Sequence, residues 1–252
     1  MPYRFATQQM DYSDLASGQV FYSLPGHPAF PIRLASEIFQ RCLAQRAGVD
    51  NTERMILYDP CCGTAYHLST LVYGHWPALQ EVIGSDIDSE AVVWARRNLA
   101  LLTPEGLEQR IQDLAGKYDL YGKASFQAAI QSAGRLRDQV VSLAQQHPMK
   151  TRVFQASALD AEQLRLHLSG TRVDIVLTDI PYGQQSAWQV ETLDPTLNPA
   201  EQMLEALHPI LHAESIVAVA SDKQQKVRHD KYKRMERFQV GKRQVVLLKP
   251  LL

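Results

Sequence analysis

The sequence predicts an α/β protein built on a doubly wound sheet, and three observations predict it. Five short apolar runs, "RMILYDP", "EVIGSD", "RVFQAS", "VDIVLTD" and "SIVAVAS", are separated by stretches of helical apolar spacing. Strands alternating with helices in this way form a parallel sheet covered on both faces. The chain then closes on "RFQVGKRQVVLLKP", two apolar segments around Gly241 and Lys242, which reads as an antiparallel hairpin. Five strands and a hairpin make a seven-stranded Rossmann-like sheet. The third observation is an interruption: residues 103–149 contain no convincing strand, and "SFQAAIQSAGRLRDQVVSLAQQ" has helical spacing, so a helical insertion is expected there.

Taken in order, "LPGHPAFP" is rich in turn residues, and "IRLASEIFQRCLAQ" follows with helical spacing at Ile32, Leu34, Ile38, Phe39 and Leu43. Residues 1–50 are therefore expected as a helical extension before the first strand. That strand ends at Asp59 and Pro60, and "YHLSTLVYGH" is a helix. After the second strand, "SEAVVWARRNLALL" is a helix opened by Asp88 or Ser89 as N-cap. "DAEQLRLHL" and "PAEQMLEALHPIL" are the remaining crossover helices.

The 252 residues suit a single domain, 1–252, large enough to bury a substantial core. A hydrophobic fraction of 45%, a charged fraction of 21% and a net charge of −1 are those of an ordinary soluble protein. No apolar run approaches the roughly 20 residues that cross a bilayer, and "MPYRFATQQMDYSDL" is too polar for a secretory signal. Three cysteines, two of them adjacent, make no disulfide framework, and neither CxxC nor H-E-x-x-H is present for a metal. A cytoplasmic protein that neither binds a metal nor enters a membrane is expected.

Ligands of such sheets sit at the carboxyl ends of the strands. The first strand delivers "DPCCGTA": Asp59, the small residues Cys61, Cys62 and Ala65, and Gly63 for a tight turn that a ligand can approach. The G-x-G-x-x-G of a dinucleotide site is absent. A nucleoside without a pyrophosphate, such as S-adenosylmethionine, needs less clearance. Asp86 in "GSDID" lies 23 positions after Gly63, near the roughly 20-residue offset at which an acid meets ribose hydroxyls. Each piece also has an ordinary reading as a turn, a strand end or a packing residue. Their order on successive strand ends favours a nucleoside cofactor.

The fourth strand runs into "TDIPYG". The lone pair of a base amine is delocalised into the ring, and acceptors on its N–H bonds localise it and stabilise charge developing during attack. Asp179 supplies one acceptor. The Ile180 carbonyl, set by Pro181, supplies another, and Tyr182 offers a face for an extruded base. Asp179, Pro181 and Tyr182 are thus the candidate catalytic residues, with Asp179 also bordering the cofactor.

This order of motifs resembles the seven-stranded S-adenosylmethionine-dependent methyltransferases that act on exocyclic amines, whose usual fourth-strand motifs are D-P-P-Y and N-P-P-Y. "GHPAFPIRLASEIFQRCL", "DPCCGTAYHL", the insertion and "DIVLTDIPYG" together resemble the avilamycin-resistance (AviRa-type) rRNA methyltransferase family over nearly the whole chain. The resemblance implies methylation of a guanine in bacterial 23S rRNA, in free form or in the large ribosomal subunit. Three residues depart from the pattern. Ile180 replaces the first proline, Ala65 stands where a glycine is usual, and Ser157 where an aspartate often faces the adenine amine.

"KQQKVRHDKYKRMERFQVGKR" contains nine Lys or Arg against two acids, with Tyr232 interleaved. Lys223, Lys226, Arg228, Lys231, Lys233 and Arg234 are its candidate phosphate contacts, or else a solvated loop. Arg33 is a candidate for the cofactor carboxylate or an RNA phosphate, or an ordinary surface residue. Trp188 is a candidate for holding the base, or packing, and His67 beside the cofactor loop reads as structural. A monomer is expected. Alternatives with the same chemistry are adenine N6 in DNA or RNA and a protein glutamine, the latter disfavoured by the basic segment. A non-catalytic RNA-binding or ribosome-assembly factor is the alternative of another class.

Overall fold

A computed structural model of the chain describes residues 3–46, 54–181, 188 and 198–252. Tyr182 lies outside the described residues. The strands are β1 (Met55–Asp59), β2 (Leu79–Asp86), β3 (Lys150–Gln155), β4 (Val173–Asp179), β5 (Leu211–Asp222), β6 (Tyr232–Val240) and β7 (Arg243–Pro250). They form one sheet in the order β3-β2-β1-β4-β5-β7-β6. The first five are parallel, and β7 runs antiparallel to both β5 and β6. The strand order reverses between β1 and β4, which places a crevice at their carboxyl ends.

Both faces are covered. Helices α1 (Ile32–Gln45), α2 (Tyr66–His75) and α3 (Ser89–Ala100) lie over one face, where Leu34, Ile38, Leu68, Leu71, Ala95 and Leu99 pack on Leu57, Ile175, Leu177 and Leu247. Helices α6 (Ala161–His167) and α7 (Pro199–Leu207) cover the other, against Tyr58, Ile83, Val176 and Val217. The Asp88 side chain accepts the Glu90 N–H and caps α3, as the sequence suggests.

The insertion is a helical hairpin, α4 (Pro104–Tyr121) and α5 (Ala124–Gln146), joined at Gly122 in the left-handed conformation. Only α5 was evident from spacing. The Gly106 and Gly116 of α4 dilute its helical pattern, although Thr103 as N-cap and Pro104 in the first turn mark its start.

The extension before β1 differs from expectation. Its helical part is α1 and one short turn, Ser13–Leu15, and residues 16–31 run irregularly across the face of α2 and α3. Buried polar side chains hold it there. The fully buried Glu37 accepts from the backbone N–H groups of Arg4, Phe5 and Ala6 at 2.6–2.8 Å and pairs with Arg41. Asn98 brackets Tyr22 by accepting its N–H and donating to its carbonyl, and Arg110 donates to the carbonyls of Gln19 and Val20. Each buried polar group thereby finds partners that water would otherwise supply, and the chain is steered so that residues 26–30 reach the crevice. Among the described residues no helix is long and apolar enough to cross a membrane.

Candidate active site at the carboxyl ends of the strands

Three strand ends and the irregular segment enclose a cleft of about 460 Å³, lined among others by Cys61, Cys62 and Gly63 after β1, Asp86 at the end of β2, and Asp179 and Pro181 after β4. That volume lies within the range of small-molecule sites. The loop after β1 is held by β2. The Gly63 N–H donates to Asp86 Oδ2 at 2.7 Å, and Asp86 Oδ1 accepts the Asp88 N–H at 3.0 Å. Burial pushes the Asp86 carboxyl up, against the pull of these two N–H groups and of nearby His27. Gly63 has a φ of +52°, and a Cβ there would meet His27 Nδ1 at 3.1 Å. Glycine thus serves both the turn and the close approach.

Beside the cleft, Pro60, Cys61, Asp86, Ile87, Ser157, Ala158, Leu159, Pro181 and Trp188 line a narrow apolar slot. Ser157 sits in its wall just beyond β3, with its N–H near Gln163 Oε1 at 3.3 Å and its Oγ accepting the Leu159 N–H at 3.2 Å. Trp188 belongs to this slot, on the side of Asp86 and Ser157.

Other expected residues lie elsewhere. Asp59 is fully buried beneath the cleft, where it accepts the Cys61 N–H and pairs with His67 at 2.9 Å. Ala65 is also fully buried, at the start of α2 with a φ of +54°. It is the only non-glycine with positive φ among the described residues, and it shapes the turn from below, outside the lining of the cleft. Arg33 is drawn away by the N-terminal segment, donating to the carbonyls of Ala6 and Thr7 and stacking on Tyr3. Tyr232 is a core residue whose hydroxyl donates to the Leu204 carbonyl, so it is not an exposed partner of the basic segment. Cys62 packs so closely on β2 that a Cβ at Gly84 would lie 2.9 Å from its sulfur. Burial pushes both the Cys61 and Cys62 thiols up, with Asp59 and Asp86 adding to the effect, which disfavours the thiolate at both.

The β4 end is built differently. The Ile180 N–H donates to the Ala220 carbonyl at 3.0 Å, extending the ladder by a bond that a proline there would forgo. Gln225 Nε2 donates to the Pro181 carbonyl at 3.0 Å, and the buried Gln244 side chain holds the Gln225 backbone. Arg243, the first residue of β7, lies 3.7 Å from Asp179 Oδ2, an ion pair too long to be a hydrogen bond. Its guanidinium also stands 5.2 Å from the centre of the Phe30 ring, within cation–π range. Phe30 also neighbours His67, with ring centroids 5.7 Å apart. Burial disfavours the charged His67, but Asp59 and then Asp179 outweigh it and raise its pKa. His27, Phe30 and Arg243 were not singled out from sequence; the turn-rich "LPGHPAFP" and the position directly after the hairpin turn were the available signals.

The six candidate RNA cations are all exposed. Arg228 and Lys231 face the carboxylates of Glu201 and Glu205 on α7, whereas Lys233 and Arg234 lie on the edge strand β6.

A doubly wound sheet ending in an antiparallel β7, with a nucleoside-sized cleft and an Asp-x-Pro turn after β4, defines a Rossmann-like methyltransferase. The family model described as rRNA methyltransferase AviRa matches residues 1–243. The chain is 38% identical, over 98% of its length and 95% of the relative's, to a 23S rRNA (guanine(2535)-N(1))-methyltransferase of Streptomyces viridochromogenes. It superposes on the solved rRNA methyltransferase aviRa of that organism with a TM-score of 0.86 and 37% identity, covering 100% of this chain and 97% of the other. With TrmN from Thermus thermophilus, at 14% identity and a TM-score of 0.50, covering 89% of this chain and 50% of the other, it shares the fold alone. The chain belongs to the AviRa family of rRNA methyltransferases.

Proposed function

We propose that this protein transfers a methyl group from S-adenosylmethionine to a guanine of 23S rRNA, with the base held at Asp179. One observation carries the reading: two unlike subsites adjoin across the shared wall of Cys61, Asp86, Ile87 and Pro181, an apolar slot beside Asp86 and a cleft holding the carboxylate–proline turn at Asp179–Pro181. The cofactor fits the residues present. A Cβ at Gly63 would crowd His27 Nδ1 at 3.1 Å, and Pro60, Ile87 and Leu159 give the slot apolar walls of the kind against which an adenine packs. When bound, this cofactor supplies an electrophilic methyl on a positively charged sulfur.

The protein's residues divide the remaining work. Cys61, Cys62 and Gly63 form the floor. Asp86 keeps lone pairs beyond its two backbone bonds for ribose hydroxyls, and Ser157 offers a hydroxyl at the adenine edge. Asp179 accepts an N–H of the target base, and its placement against the floor supplies orientation. The family relative is named for guanine N1, a ring nitrogen that carries hydrogen in the neutral base. A nucleophilic lone pair appears at such an atom only when its proton leaves, so Asp179 serves as proton acceptor more than as amine polariser. Pro181 fixes the turn, and Tyr182 next to it is the candidate stacking face.

Lys223, Lys226, Lys233 and Arg234 are the phosphate contacts in this reading, with Arg228 and Lys231 exchanging their α7 partners for phosphates. The reading takes residues 1–252 as one methyltransferase domain acting as a monomer in the cytoplasm, on free 23S rRNA or the large subunit. Protection against a ribosome-targeting antibiotic is the role it supports.

The test is transfer of labelled methyl from S-adenosylmethionine to 23S rRNA, 16S rRNA, tRNA, DNA and a protein extract, with Asp179→Ala as control. Label in 23S rRNA that the variant loses is the expected result. Label confined to another pool contradicts the substrate.

A further inference from the structure

The register of three strands brings Arg243 to the target side of the cleft. Asp179 on β4 pairs with Ala220 on β5, and Ala220 pairs with Val245 on β7, two residues beyond Arg243. Alternate residues of a strand share a face, so Asp179, Ala220, Val245 and Arg243 all point toward the α1–α2 side. The side chain between the two charged groups is only the methyl of Ala220, and across it the long Arg243 side chain reaches within 3.7 Å of Asp179 Oδ2. Both line the cleft, with Phe30 beneath the guanidinium. Among the described residues, the charged and titratable groups on the elements around Arg243 are Asp179 on β4, His67 on α2 with Asp59 of β1 behind it, and Asp222 opposite in the ladder, whose Oδ1 is engaged by the Gln224 N–H. A carboxylate beside a guanidinium presents an acceptor next to a row of donors. Guanine matches that pattern along one edge, with N1–H and N2–H donors next to the O6 acceptor. Adenine reverses it, offering an N6–H donor and an N1 acceptor.

We propose that Arg243 reads guanine: its guanidinium donates to O6 while Asp179 accepts from N1–H, and it stabilises the charge that O6 gains as that proton leaves. The inference rests on the guanine reading above. The N1 proton passes to the Asp179 carboxylate, and the electrons it leaves are shared between N1 and O6. The N1–carbon bond forms as the carbon–sulfur bond of the cofactor breaks, the electron pair of the latter going to sulfur. Arg243 acts where negative charge develops, and it acts in a partly buried cleft, where such donors are most effective. Adenine in the same place sets donor against donor and lone pair against carboxylate, and sites built on such pairing reject the mismatched partner strongly.

The test uses the full chain, 23S rRNA and saturating S-adenosylmethionine, with Arg243→Gln and Arg243→Lys compared with wild type across pH 6–9 (a ~3-unit span around neutrality). Arg243→Gln is expected to lower kcat about 10²–10³-fold, with unchanged S-adenosylmethionine affinity and unchanged melting. Its rate should keep rising with pH beyond the point where the wild-type rate levels. Arg243→Lys restores part of the rate, because a lysine keeps the charge but loses the planar fork. Three results overturn the proposal: no loss, a loss with the wild-type pH profile, or a loss that appears only as weaker cofactor binding. A wild-type enzyme that labels no 23S rRNA fails differently, since it removes the substrate reading whatever the variants do.

Discussion

The carboxyl ends of β2 and β4 each present an aspartate to the same cleft, and the protein holds the two in different ways. Asp86 has a backbone N–H on each oxygen, from Gly63 and Asp88, and both belong to the loops it shapes. Asp179 stands near side chains from distant segments: Arg243 of β7 at 3.7 Å, and His67 of α2, whose pKa it helps to raise. A carboxylate locked by backbone is suited to a group that binds in one orientation and undergoes no change of charge there. A carboxylate faced by side chains and not tied to its own loop backbone is suited to receiving a proton and to a partner that arrives and leaves with each turnover. The difference is the one the proposed function calls for, with cofactor on the β2 side and base on the β4 side.

The largest effect that would break or sharpen this contrast is expected from Asp179→Asn. The variant keeps size and loses the proton acceptor, so methyl transfer should fall about 10³-fold at saturating substrates, while calorimetry shows S-adenosylmethionine bound as in wild type. Asp86→Asn should do the reverse. Losing a charged acceptor costs about 2 kcal/mol of cofactor affinity, roughly thirtyfold in Kd, with kcat near wild type once the cofactor is saturating.

A smaller effect comes from the histidine between them. The folded pKa of His67 is raised above its unfolded value of about 6.5. Its contribution to stability is therefore fully present below that pH and is lost as pH rises through the raised folded value. Chemical denaturation should show wild type weakening over that window and His67→Gln lacking the component. A His67→Gln profile that falls as steeply as wild type would place the charge elsewhere.

The smallest effect concerns the turn itself. Ala65→Gly relieves about 1 kcal/mol of left-handed strain, offset in part by the lost burial of a methyl. The melting midpoint should rise by about 1–2 °C. A fall would mean that the methyl packs the turn more than its backbone strains it.

The sheet was legible because its signals are local. Each of β1, β2 and β4 is an apolar run closed by an aspartate, and Asp88 caps α3 from the position its sequence suggests. Helix α4 was not legible as a separate element, because Gly106 and Gly116 interrupt a mixed-charge stretch whose stability comes from packing on α5. The side of the cleft proposed for the cofactor follows the same rule. Cys61, Cys62, Gly63 and Asp86 stand in two contiguous motifs, and the fold merely brings the motifs together. On the base side only Asp179 and Pro181 were readable. Arg243 reaches Asp179 through strand register 64 positions away, and Phe30 through a segment held by Glu37, Asn98 and Arg110. Three of the candidates stand outside the lining of the cleft for one reason. Asp59, Ala65 and Arg33 are of suitable type, but burial or a nearer partner had already engaged each of them.

The most direct test of the division is a crossed pair of measurements on Asp86→Asn and Asp179→Asn: S-adenosylmethionine affinity by calorimetry and kcat for methyl transfer to 23S rRNA. The account predicts that Asp86→Asn loses affinity and keeps kcat, while Asp179→Asn keeps affinity and loses kcat. If both variants lose both quantities together, the two aspartates serve one undivided site and the account is wrong.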